Sequence, residues 1–537
     1  MLRFARRALK GAGVGLGVVG TAVGVGSYFD EGLRRSVIFW GQAFPIYLHY
    51  EFVHQFTKGE ADHIIEREFD KLHDKYALVA KDLTLQLRGF YLKTAQLCST
   101  IDGTGTVPPQ YMAWCTQMQD EVPTPFAPGE ARKLVEESLG KPIEEVFEWW
   151  DDDPCGSASI GQVHRARLRD GTEVAIKIQY PGIERKFRSD LSNIIRFCQL
   201  AMPQHVKPLR EIEKAFMTEF DYQGEAKNLL DVSENLMKDW GDRVCVPKPV
   251  LSLCTKTVLT MEYLPGEPLL KALRRRLRSL AEAQGTTPEK LEQDFRDRLA
   301  GGEHDLVKLE DEASRMRWLI GLSKARELAV NTLKIAYNFT LGLFTRPFHV
   351  AWIEHPLNIA EIITLLLEVH GHEIFVDGVF NGDPHPGNVL LMPDGRLGLI
   401  DYGQVKRLPI EVRQTYAKLI IALSEDDKDE IVRLWLHEMD QRSKTDNKTI
   451  AYKLACFWHD RNTPDIVGDY NLHTFLESLE KEDPVVRVNE DYVMAARVSV
   501  LMRGFGNMMG LQLRVAPYWR PIAEQFLQTH PISTNNS

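Results

Sequence analysis

Paired cysteines are missing from this chain of 537 residues, and so is any excess of positive charge. The seven cysteines are scattered and form no CxxC pair, which argues against a disulfide framework or a zinc module and favours a reducing compartment. The 65 Lys and Arg against 75 Asp and Glu leave a net charge of −10, so the chain as a whole has no electrostatic field for nucleic acid. We therefore expect no nucleic-acid partner.

Extreme composition is also absent. Hydrophobic residues make up 44% of the chain and charged residues 26%, as in an average soluble globular protein. This balance excludes a collagen, a fully disordered chain and a polytopic membrane protein. The length exceeds what one ordinary hydrophobic core accommodates, so we expect about three to four compact units.

The N-terminal segment lacks acidic residues. Residues 1–29 contain no Asp or Glu and four basic residues: Arg3, Arg6, Arg7 and Lys10. An Arg-rich, acid-free start is typical of a mitochondrial presequence, whereas a plastid transit peptide is usually Ser-rich. The uncharged run Gly11–Phe29 would span about 28 Å as a helix, and its glycines follow a small-xxx-small spacing.

We therefore expect residues 1–29 to target the mitochondrion and to anchor the chain in the inner membrane. The Gly-rich run leaves a homodimer through the anchor open. A flexible, cleaved leader is the alternative interpretation of the segment, and the plastid is the alternative location.

Helical periodicity follows the N-terminal segment. Apolar residues recur every three or four positions across 62–100, which predicts a long helix, and a second helical region follows Pro128. Between 151 and 266 the pattern becomes that of a small sheet with inserted helices. Val174, Ile176 and Ile178 alternate as on a half-buried strand, after the hairpin signal Asp170-Gly171. Further strands are predicted at Ile160–Leu168, Val250–Leu253 and Thr257–Glu262, and helices at about 183–202 and 209–235.

The remainder, from 267 onward, is mostly helical. A basic run on the first of these helices is interpreted as a solvated helix face, with contact to a membrane surface as the alternative: Lys271, Arg274, Arg275, Arg276 and Arg278. Residues 330–353 are rich in aromatic and aliphatic side chains. Burial in a core is the first interpretation of that stretch, and an interfacial position is the alternative.

The most informative stretch is Asp383-Pro384-His385-Pro386-Gly387-Asn388, followed by Asp401-Tyr402-Gly403. Between Asn388 and Asp401 lie two apolar runs separated by Pro393-Asp394-Gly395, a pattern that predicts a β-hairpin. Phosphoryl transfer uses one carboxylate at the acceptor and an Asn and an Asp to hold Mg²⁺ against the phosphates. We therefore predict Asp383 as the catalytic carboxylate and Asn388 and Asp401 as magnesium ligands.

Upstream features complete a nucleotide site. Val174-Ala175-Ile176-Lys177 has the form of the strand whose lysine contacts the α- and β-phosphates of ATP, and Glu219 is predicted to pair with Lys177. Met261-Glu262-Tyr263-Leu264 precedes Pro265-Gly266 and is interpreted as a hinge that reads adenine through backbone groups of Glu262 and Leu264. Small residues that let backbone N–H groups approach the phosphates form the predicted covering loop: Ser157, Ala158, Ser159, Ile160 and Gly161.

Five stretches in this order resemble the UbiB family of atypical kinases, also called aarF-domain or ADCK-type kinases: SASIGQVHRA, VAIKIQYPG, EFDYQGEAKN, GDPHPGN and DYG. The resemblance runs from about residue 60 to at least residue 410. It implies a protein-kinase-like fold with a helical extension, ATP binding with ATPase activity, and a role in coenzyme Q or other isoprenoid-lipid biosynthesis. Membrane lipid and a quinone-biosynthesis complex are the partners that it suggests.

The family also carries a KxGQ motif on its extension, packed over the active site. Lys93-Thr94-Ala95-Gln96 matches that motif, with Ala95 in place of the glycine. Lys93 and Gln96 share a helix face and are predicted to be regulatory, whereas the extra methyl of Ala95 would loosen the cover. The ExD motif of the family and the positions after it are matched by Glu219, Asp221, Glu225 and Asn228.

We therefore predict an α+β fold of the two-lobed protein-kinase type. The expected parts are a targeting segment and anchor (1–29), a helical extension (30–150), a small mixed sheet as N-lobe (151–266), a helical C-lobe (267–530) and a frayed tail (531–537). The distance from Gly266 to Asp383 exceeds what such a fold needs, which predicts a helical insertion near 275–355.

Two other functions stay open at this point. The first is a conventional protein or small-molecule kinase. A protein kinase is disfavoured because no APE follows the DYG and Pro409 comes only eight residues after Asp401. A nucleotide-binding scaffold of a membrane complex is disfavoured because it has no chemical need for the complete lysine and magnesium set.

Overall fold

The computed structural model describes residues 31–60, 62–100, 107–115, 118, 126–157, 160–201, 209–210, 213, 216–288, 290, 308–343, 345–350, 352, 354–468 and 472–531. The predicted anchor, the loop residues Ala158 and Ser159, and the tail from residue 532 lie outside these ranges. Within them, no helix is both long and apolar enough to cross a bilayer.

Helices make up most of the described chain. They are α1 (Glu31–Thr57), α2 (Asp62–Leu87), α3 (Phe90–Thr100), α4 (Pro109–Cys115), α5 (Glu130–Leu139), α6 (Ile143–Val146), α7 (Ile183–Ala201), α8 (Tyr222–Asp239), α9 (Leu269–Gln284), α10 (Leu309–Phe339), α11 (Ile359–His372), α12 (Ile410–Glu425), α13 (Lys428–Arg433), α14 (Lys448–His459), α15 (Pro464–Val467), α16 (Leu472–Glu482), α17 (Glu490–Met508) and α18 (Ala516–Thr529).

The strands are short. They are β1 (Phe147–Trp150), β2 (Gly156–Ser157), β3 (Gly161–Leu168), β4 (Glu173–Gln179), β5 (Val244–Cys245), β6 (Val258–Glu262), β7 (Glu267–Pro268), β8 (Val379–Asn381), β9 (Val389–Leu391), β10 (Leu397–Leu399), β11 (Val405–Arg407), β12 (Arg442–Ser443) and β13 (Val485–Arg487).

The chain divides into two compact units, and the first contains Met1–Ser99, Val107–Gly224 and Leu251–Thr260. Its sheet has the order β1-β3-β4-β6, with β2 paired to β3. The strand predicted from Val174, Ile176 and Ile178 is confirmed as β4, and these side chains are almost fully buried. Burial does not alternate along it, because Ala175 and Gln179 on the other face are buried as well. The strand predicted near Val250–Leu253 is wrong, because Leu251–Leu253 forms a 3₁₀ turn.

The long helix predicted over 62–100 is two helices, α2 and α3. The break falls at Arg88 and Gly89, which both adopt left-handed backbone conformations with φ of 55° and 51°. A non-glycine residue rarely adopts this conformation, and no helix continues through two of them. The apolar repeat runs on across the break, so the sequence pattern does not reveal it.

The second unit lies within Glu225–Val250 and Met261–Ser537. Its small sheets have the orders β5-β10-β9-β7, β11-β8 and β12-β13. A helical core surrounds Tyr416 and Trp519, both fully buried, and the Trp519 indole N–H donates to the Leu367 carbonyl at 2.8 Å. Phe375, just before β8, packs on both rings, so this core lies next to the strand that leads to Asp383.

The basic run on α9 makes contacts within its own unit. Arg275 bonds to Glu267 at 2.9 Å and also pairs with Glu354, and an Arg276 guanidinium N–H donates to the His355 carbonyl at 2.9 Å. These two arginines therefore connect α9 to the segment that follows α10, within the second unit.

Candidate functional site

Lys177 lies on β4 of the first unit, opposite Val163 of β3. Its ammonium Nζ is 5.0 Å from the centre of the Tyr222 ring, and the Tyr222 side chain is fully buried. The face of an aromatic ring attracts a cation, so Tyr222 holds the ammonium at the end of a rigid strand pair. The strand predicted from the VAIK pattern is confirmed, and the contact of Lys177 with phosphate stays a prediction.

The covering loop is described at three of its five predicted residues. The Ser157 hydroxyl shares a hydrogen bond of 2.8 Å with the Tyr180 hydroxyl, and the Ile160 side chain is buried. Gly161 is tightly enclosed, because a Cβ atom there would lie 2.3 Å from the carbonyl oxygen of Ile178. A glycine is therefore needed for β3 to begin this close to β4.

Lys93 and Glu219 form an ion pair, with Lys93 Nζ 2.9 Å from Glu219 Oε1. Only 21% and 12% of the two side chains is exposed, so the pair is largely shielded from solvent. The sequence predicts that Glu219 pairs with Lys177, and that pairing stays a prediction beside the contact with Lys93. The motif lysine on α3 and the ExD glutamate are thus directly linked.

A cluster of four phenylalanines positions this ion pair. Phe187 is almost fully buried, and its ring centre lies 5.2 Å from that of Phe90, 5.5 Å from Phe216 and 5.3 Å from Phe220. Phe90 is one turn before Lys93, and Phe220 follows Glu219 directly. Edge-to-face aromatic packing therefore fixes the backbone on both sides of the pair.

Ala95, the departure from the KxGQ pattern, is buried at 4% exposure. Its methyl packs in an apolar cluster with Leu92, Met112, Trp114, Cys115 and Met118. The residue thus contributes to the core beneath α3. Gln96 lies on the same helix, and its side chain is outside the described part of the structure.

In the second unit, β9 and β10 form the predicted hairpin, with Leu399 opposite Val389 and Leu397 opposite Leu391. One step beyond the ladder, the Ile400 N–H donates to the Asn388 carbonyl at 3.2 Å. The hairpin prediction is confirmed, and Asn388 and Asp401 flank the same end of it. The Asp401 carboxylate accepts the Gly403 N–H at 3.0 Å, which fixes one of its oxygens.

Asn381 connects the two motif aspartates through their backbones. Its side-chain oxygen accepts the Asp383 N–H at 2.9 Å, and its side-chain amide donates to the Asp401 carbonyl at 2.8 Å. Asn381 is 5% exposed and ends β8, which pairs with β11. No sequence pattern indicates Asn381, although it stands only two positions before Asp383.

Beneath Asn381 lies a buried carboxylate, Glu373. It accepts hydrogen bonds from the Tyr402 hydroxyl at 3.2 Å and the Asn381 N–H at 3.4 Å, and it pairs with the His370 ring at 2.8 Å. Burial and the Glu373 carboxylate raise the pKa of Tyr402 well above its ordinary value, so the phenol stays a donor. The hydrogen bond to Glu373 thereby fixes the side chain of Tyr402, the middle residue of the DYG.

Further contacts hold the motif from the side. Arg497 of α17 lies 3.1 Å from the Asp383 carboxylate and donates to the Gln404 side-chain oxygen at 2.6 Å. The Asn228 amide donates to the Tyr402 carbonyl at 3.2 Å. Asn228 was noted only as part of the family match, and Arg497 was not predicted. Their partners lie more than 90 positions away in the chain, so no local sequence signal indicates these contacts.

The predicted hinge follows the buried part of β6. The Glu262 N–H donates to the Lys248 carbonyl at 2.8 Å, which leaves the Glu262 carbonyl as the candidate group for adenine at this residue. The Leu264 side chain packs against a small cluster of Cys245, Leu390 and Met392. The roles of Glu262 and Leu264 in nucleotide binding stay predictions.

Magnesium chemistry fits the donor types in the second unit. Across the part of the chain that the structure describes, no group of three or more His, Cys, Asp or Glu side chains is arranged to hold a metal. The predicted site uses one carboxylate and one amide, with phosphate oxygens from the nucleotide as further ligands. Mg²⁺ is commonly bound in this way, through one or two protein oxygens, phosphates and water.

Comparison with protein families identifies the kind of domain. The family described as ABC1 atypical kinase-like domain matches residues 117–295 and 348–435. The chain therefore belongs to the ABC1 atypical kinase-like family, as the sequence resemblance indicates. Its mixed sheets and many helices fit a two-lobed kinase-like fold. The interval between the matched segments lies inside the insertion predicted near 275–355.

Individual relatives cover different parts of the chain. Protein slr0889 of Synechocystis is 26% identical over 65% of this chain and 70% of its own length. ACTIVITY OF BC1 COMPLEX KINASE 8, chloroplastic, of Arabidopsis thaliana is 26% identical over 70% of this chain, which spans only 40% of that relative. AarF domain-containing protein kinase 1 of Xenopus laevis is 32% identical over 36% of this chain and 38% of its own length.

A solved structure is also similar, the complex of Rv3197 with erythromycin from Mycobacterium tuberculosis. It matches 84% of this chain and 97% of its own, with 22% sequence identity and a TM-score of 0.40.

Proposed function

We propose that this protein binds MgATP and acts as an atypical kinase or ATPase. The single observation that carries the proposal is the β9–β10 hairpin, which presents Asn388 and Asp401 at one end, tied through Asn381 to Asp383. In the proposed mechanism Asn388 and Asp401 hold Mg²⁺, Lys177 contacts the phosphates, and Asp383 faces the acceptor. Magnesium supplies the charge that offsets the phosphates during transfer.

The proposed setting is isoprenoid-quinone metabolism or lipid homeostasis at a membrane, with a quinone-biosynthesis complex as partner. The family resemblance supports this setting. The acid-free N-terminal segment supports the mitochondrial inner membrane and allows a homodimer through its Gly-rich run. Two Arabidopsis relatives carry the word chloroplastic in their names, which supports the plastid as the alternative location.

Replacing Lys177 by methionine tests the nucleotide site. The variant should weaken ATP binding or turnover about tenfold or more, because it removes the phosphate-binding charge and keeps the apolar stem on β4. Phosphate release from MgATP by the purified protein, with and without liposomes, measures turnover, and thermal unfolding checks that the fold is intact. Lys256→Met is the matched control, since Lys256 bonds to Glu184 on the exposed surface of the same unit. Equal turnover in the Lys177 variant and the parent protein would refute the proposed site.

Replacing Lys93 by alanine tests the regulatory role. The change removes the cation 2.9 Å from Glu219 and so weakens the link between α3 and the ExD segment. We expect self-phosphorylation to rise about tenfold, with a changed preference between ATP and ADP, rather than a loss of activity. Transfer of radiolabel from ATP into the protein measures the first effect, and nucleotide titration measures the second.

Lys71→Ala is the control for Lys93, because Lys71 pairs with Glu68 on the exposed face of a neighbouring helix. Unchanged self-phosphorylation in the Lys93 variant would show that Lys93 on α3 does not regulate the activity. Strong phosphorylation of a generic protein substrate such as myelin basic protein by the parent enzyme would favour the conventional kinase instead.

A further inference from the structure

An apolar hairpin projects from the second unit between Leu328 and Trp352. It consists of the second half of α10, the 3₁₀ turn Leu341–Leu343 and the returning segment 345–350 with Trp352. Most of it falls outside the segments that the family comparison matches. Seven of its large apolar side chains are more than half exposed: Leu328, Leu333, Phe339, Leu341, Leu343, Phe348 and Trp352.

The exposed side chains surround the helix instead of forming one stripe. Leu328 and Leu333 are five positions apart, which separates them by about 140° around the axis at 3.6 residues per turn. A helix with apolar side chains on several sides belongs in an apolar medium. This arrangement favours insertion of the hairpin end over docking of one face against a flat partner.

Several polar side chains of the apolar hairpin form hydrogen bonds within it, mostly to backbone groups. Asn338 bonds to both the N–H and the carbonyl of Phe348, at 2.7 and 2.8 Å, and Tyr337 shares a hydrogen bond of 2.7 Å with Thr345. The hydroxyls of Thr332 and Thr340 donate to carbonyls four residues earlier, at 2.7 and 2.8 Å.

Internal satisfaction of this kind is what a segment needs in hydrocarbon, because an unpaired polar group there costs several kcal/mol. A hairpin surrounded by water has no such need, since water itself would satisfy these groups.

The charges on the hairpin indicate which kind of partner would cover it. Residues 328–353 contain no Asp or Glu, and they include Lys334 and Arg346. Lys324 and Arg326 stand just before the hairpin. A second copy of the same surface would bring like charges together, whereas an anionic lipid headgroup would be attracted to them.

The length of the apolar hairpin suits one leaflet. The hairpin is fastened at its base, where the His355 ring pairs with Glu327 at 2.8 Å. From Glu327 to Phe339 the helix rises about 18 Å, close to half the thickness of a bilayer with its headgroups. The Lys334 ammonium donates to the His349 carbonyl at 3.2 Å within the hairpin. Lys324 and Arg326 stand at the base, where headgroups would meet the chain.

We propose that the apolar hairpin inserts into one leaflet of an anionic bilayer and holds the second unit at the membrane surface. This proposal does not depend on nucleotide chemistry. It also differs from the predicted N-terminal anchor, which lies more than 290 residues earlier in the chain.

Hydrogen exchange of the full chain, with and without vesicles and in the absence of nucleotide, tests the insertion. Vesicles of phosphatidylcholine with 30% phosphatidylglycerol should slow amide exchange within residues 333–350 about tenfold or more, and pure phosphatidylcholine should slow it much less. Because this measurement is local, an anchor at residues 1–29 does not obscure it.

A triple variant, Leu333→Ser with Phe339→Ser and Leu343→Ser, should lose this protection and keep the thermal stability of the parent, since all three side chains are exposed. The matched control is Val486→Ser with Val488→Ser and Val493→Ser, three exposed residues elsewhere in the same unit. The control should retain full protection, and so should Asp401→Asn.

Three results would overturn the proposal. Exchange in residues 333–350 that is the same with and without vesicles would show that lipid does not cover the hairpin. Protection that is equal with neutral and anionic vesicles would remove the role of its charges. A parent protein that dimerises without lipid, while the triple variant stays monomeric in sedimentation, would assign the surface to a second copy.

Discussion

Replacing Asp401 by asparagine should reduce magnesium-dependent ATP turnover about 10³-fold or more. The Asp401 oxygen that accepts the Gly403 N–H is retained in asparagine, so the local hydrogen bond at 3.0 Å survives. What disappears is the negative charge that would bind Mg²⁺, and phosphoryl transfer depends on the metal to offset the charge on the phosphates. Phosphate release as a function of Mg²⁺ concentration measures the effect.

Asp394 offers a matched control on the same hairpin. It lies in the turn between β9 and β10, is half exposed, and bonds to the Arg396 side chain at 2.8 Å. Asp394→Asn removes the same charge from the opposite end of the hairpin and should leave turnover within about twofold of the parent. If Asp401→Asn also turns over ATP at the parent rate, Asp401 is not a metal ligand and the proposed site is wrong.

The hairpin that carries this site could be predicted because its signals are local. Apolar runs on either side of Pro393-Asp394-Gly395 specify two short strands and a turn, and β9 and β10 follow that pattern. The alternation of Val174, Ile176 and Ile178 identified β4 for the same reason. Local sequence signals are thus sufficient to identify these short strands.

Two local expectations were wrong or incomplete. The helix break at Arg88 and Gly89 depends on left-handed backbone conformations, and the apolar repeat continues across it. Leu251–Leu253 has the composition of a strand yet forms a 3₁₀ turn, and none of its residues is buried. In both places the chain direction changes without a change in hydrophobic pattern.

The surroundings of the site were beyond the reach of sequence patterns. Glu373, Asn228 and Arg497 contact the motif residues from 29 to 174 positions away, and the fold alone brings them there. The contact of Lys93 with Glu219 is similar, because it requires the packing of Phe187 between α3 and the 3₁₀ turn at Thr218–Phe220.

The apolar stretch at 330–353 shows the limit of composition. Burial in a core was the first interpretation, and the structure instead exposes its large side chains while pairing its polar groups internally. A buried core segment and an exposed apolar segment can have the same hydrophobic content. Only the distribution of exposure and the hydrogen bonds of Asn338 and Tyr337 distinguish a core helix from a surface that needs an apolar partner.

Replacing Asn381 by alanine should lower ATP turnover about 10²-fold, the second-largest effect that we expect from a single substitution. The change leaves the Asp383 N–H and the Asp401 carbonyl without the partner that ties them together at 2.9 and 2.8 Å. Asn381 would not touch the nucleotide in the proposed site, so it is a positioning residue. Its loss should lower kcat more than it raises the KM for ATP, because the two aspartates lose their mutual alignment.

A structural role alone would not produce that selectivity, and Asn358 provides the comparison. The Asn358 side chain also makes two hydrogen bonds, to the Ala313 carbonyl at 2.8 Å and from the Glu361 N–H at 3.4 Å, where it caps α11. Asn358→Ala should therefore destabilise the fold by a similar amount, about 1–3 kcal/mol, with turnover of the folded protein unchanged. Asn381→Asp retains the acceptor for the Asp383 N–H and loses the donor to Asp401, so its turnover should fall between those of the parent and Asn381→Ala. If Asn381→Ala and Asn358→Ala differ only in stability, the link through Asn381 has no part in turnover, and Asp383 and Asp401 are aligned by the strand ladders alone.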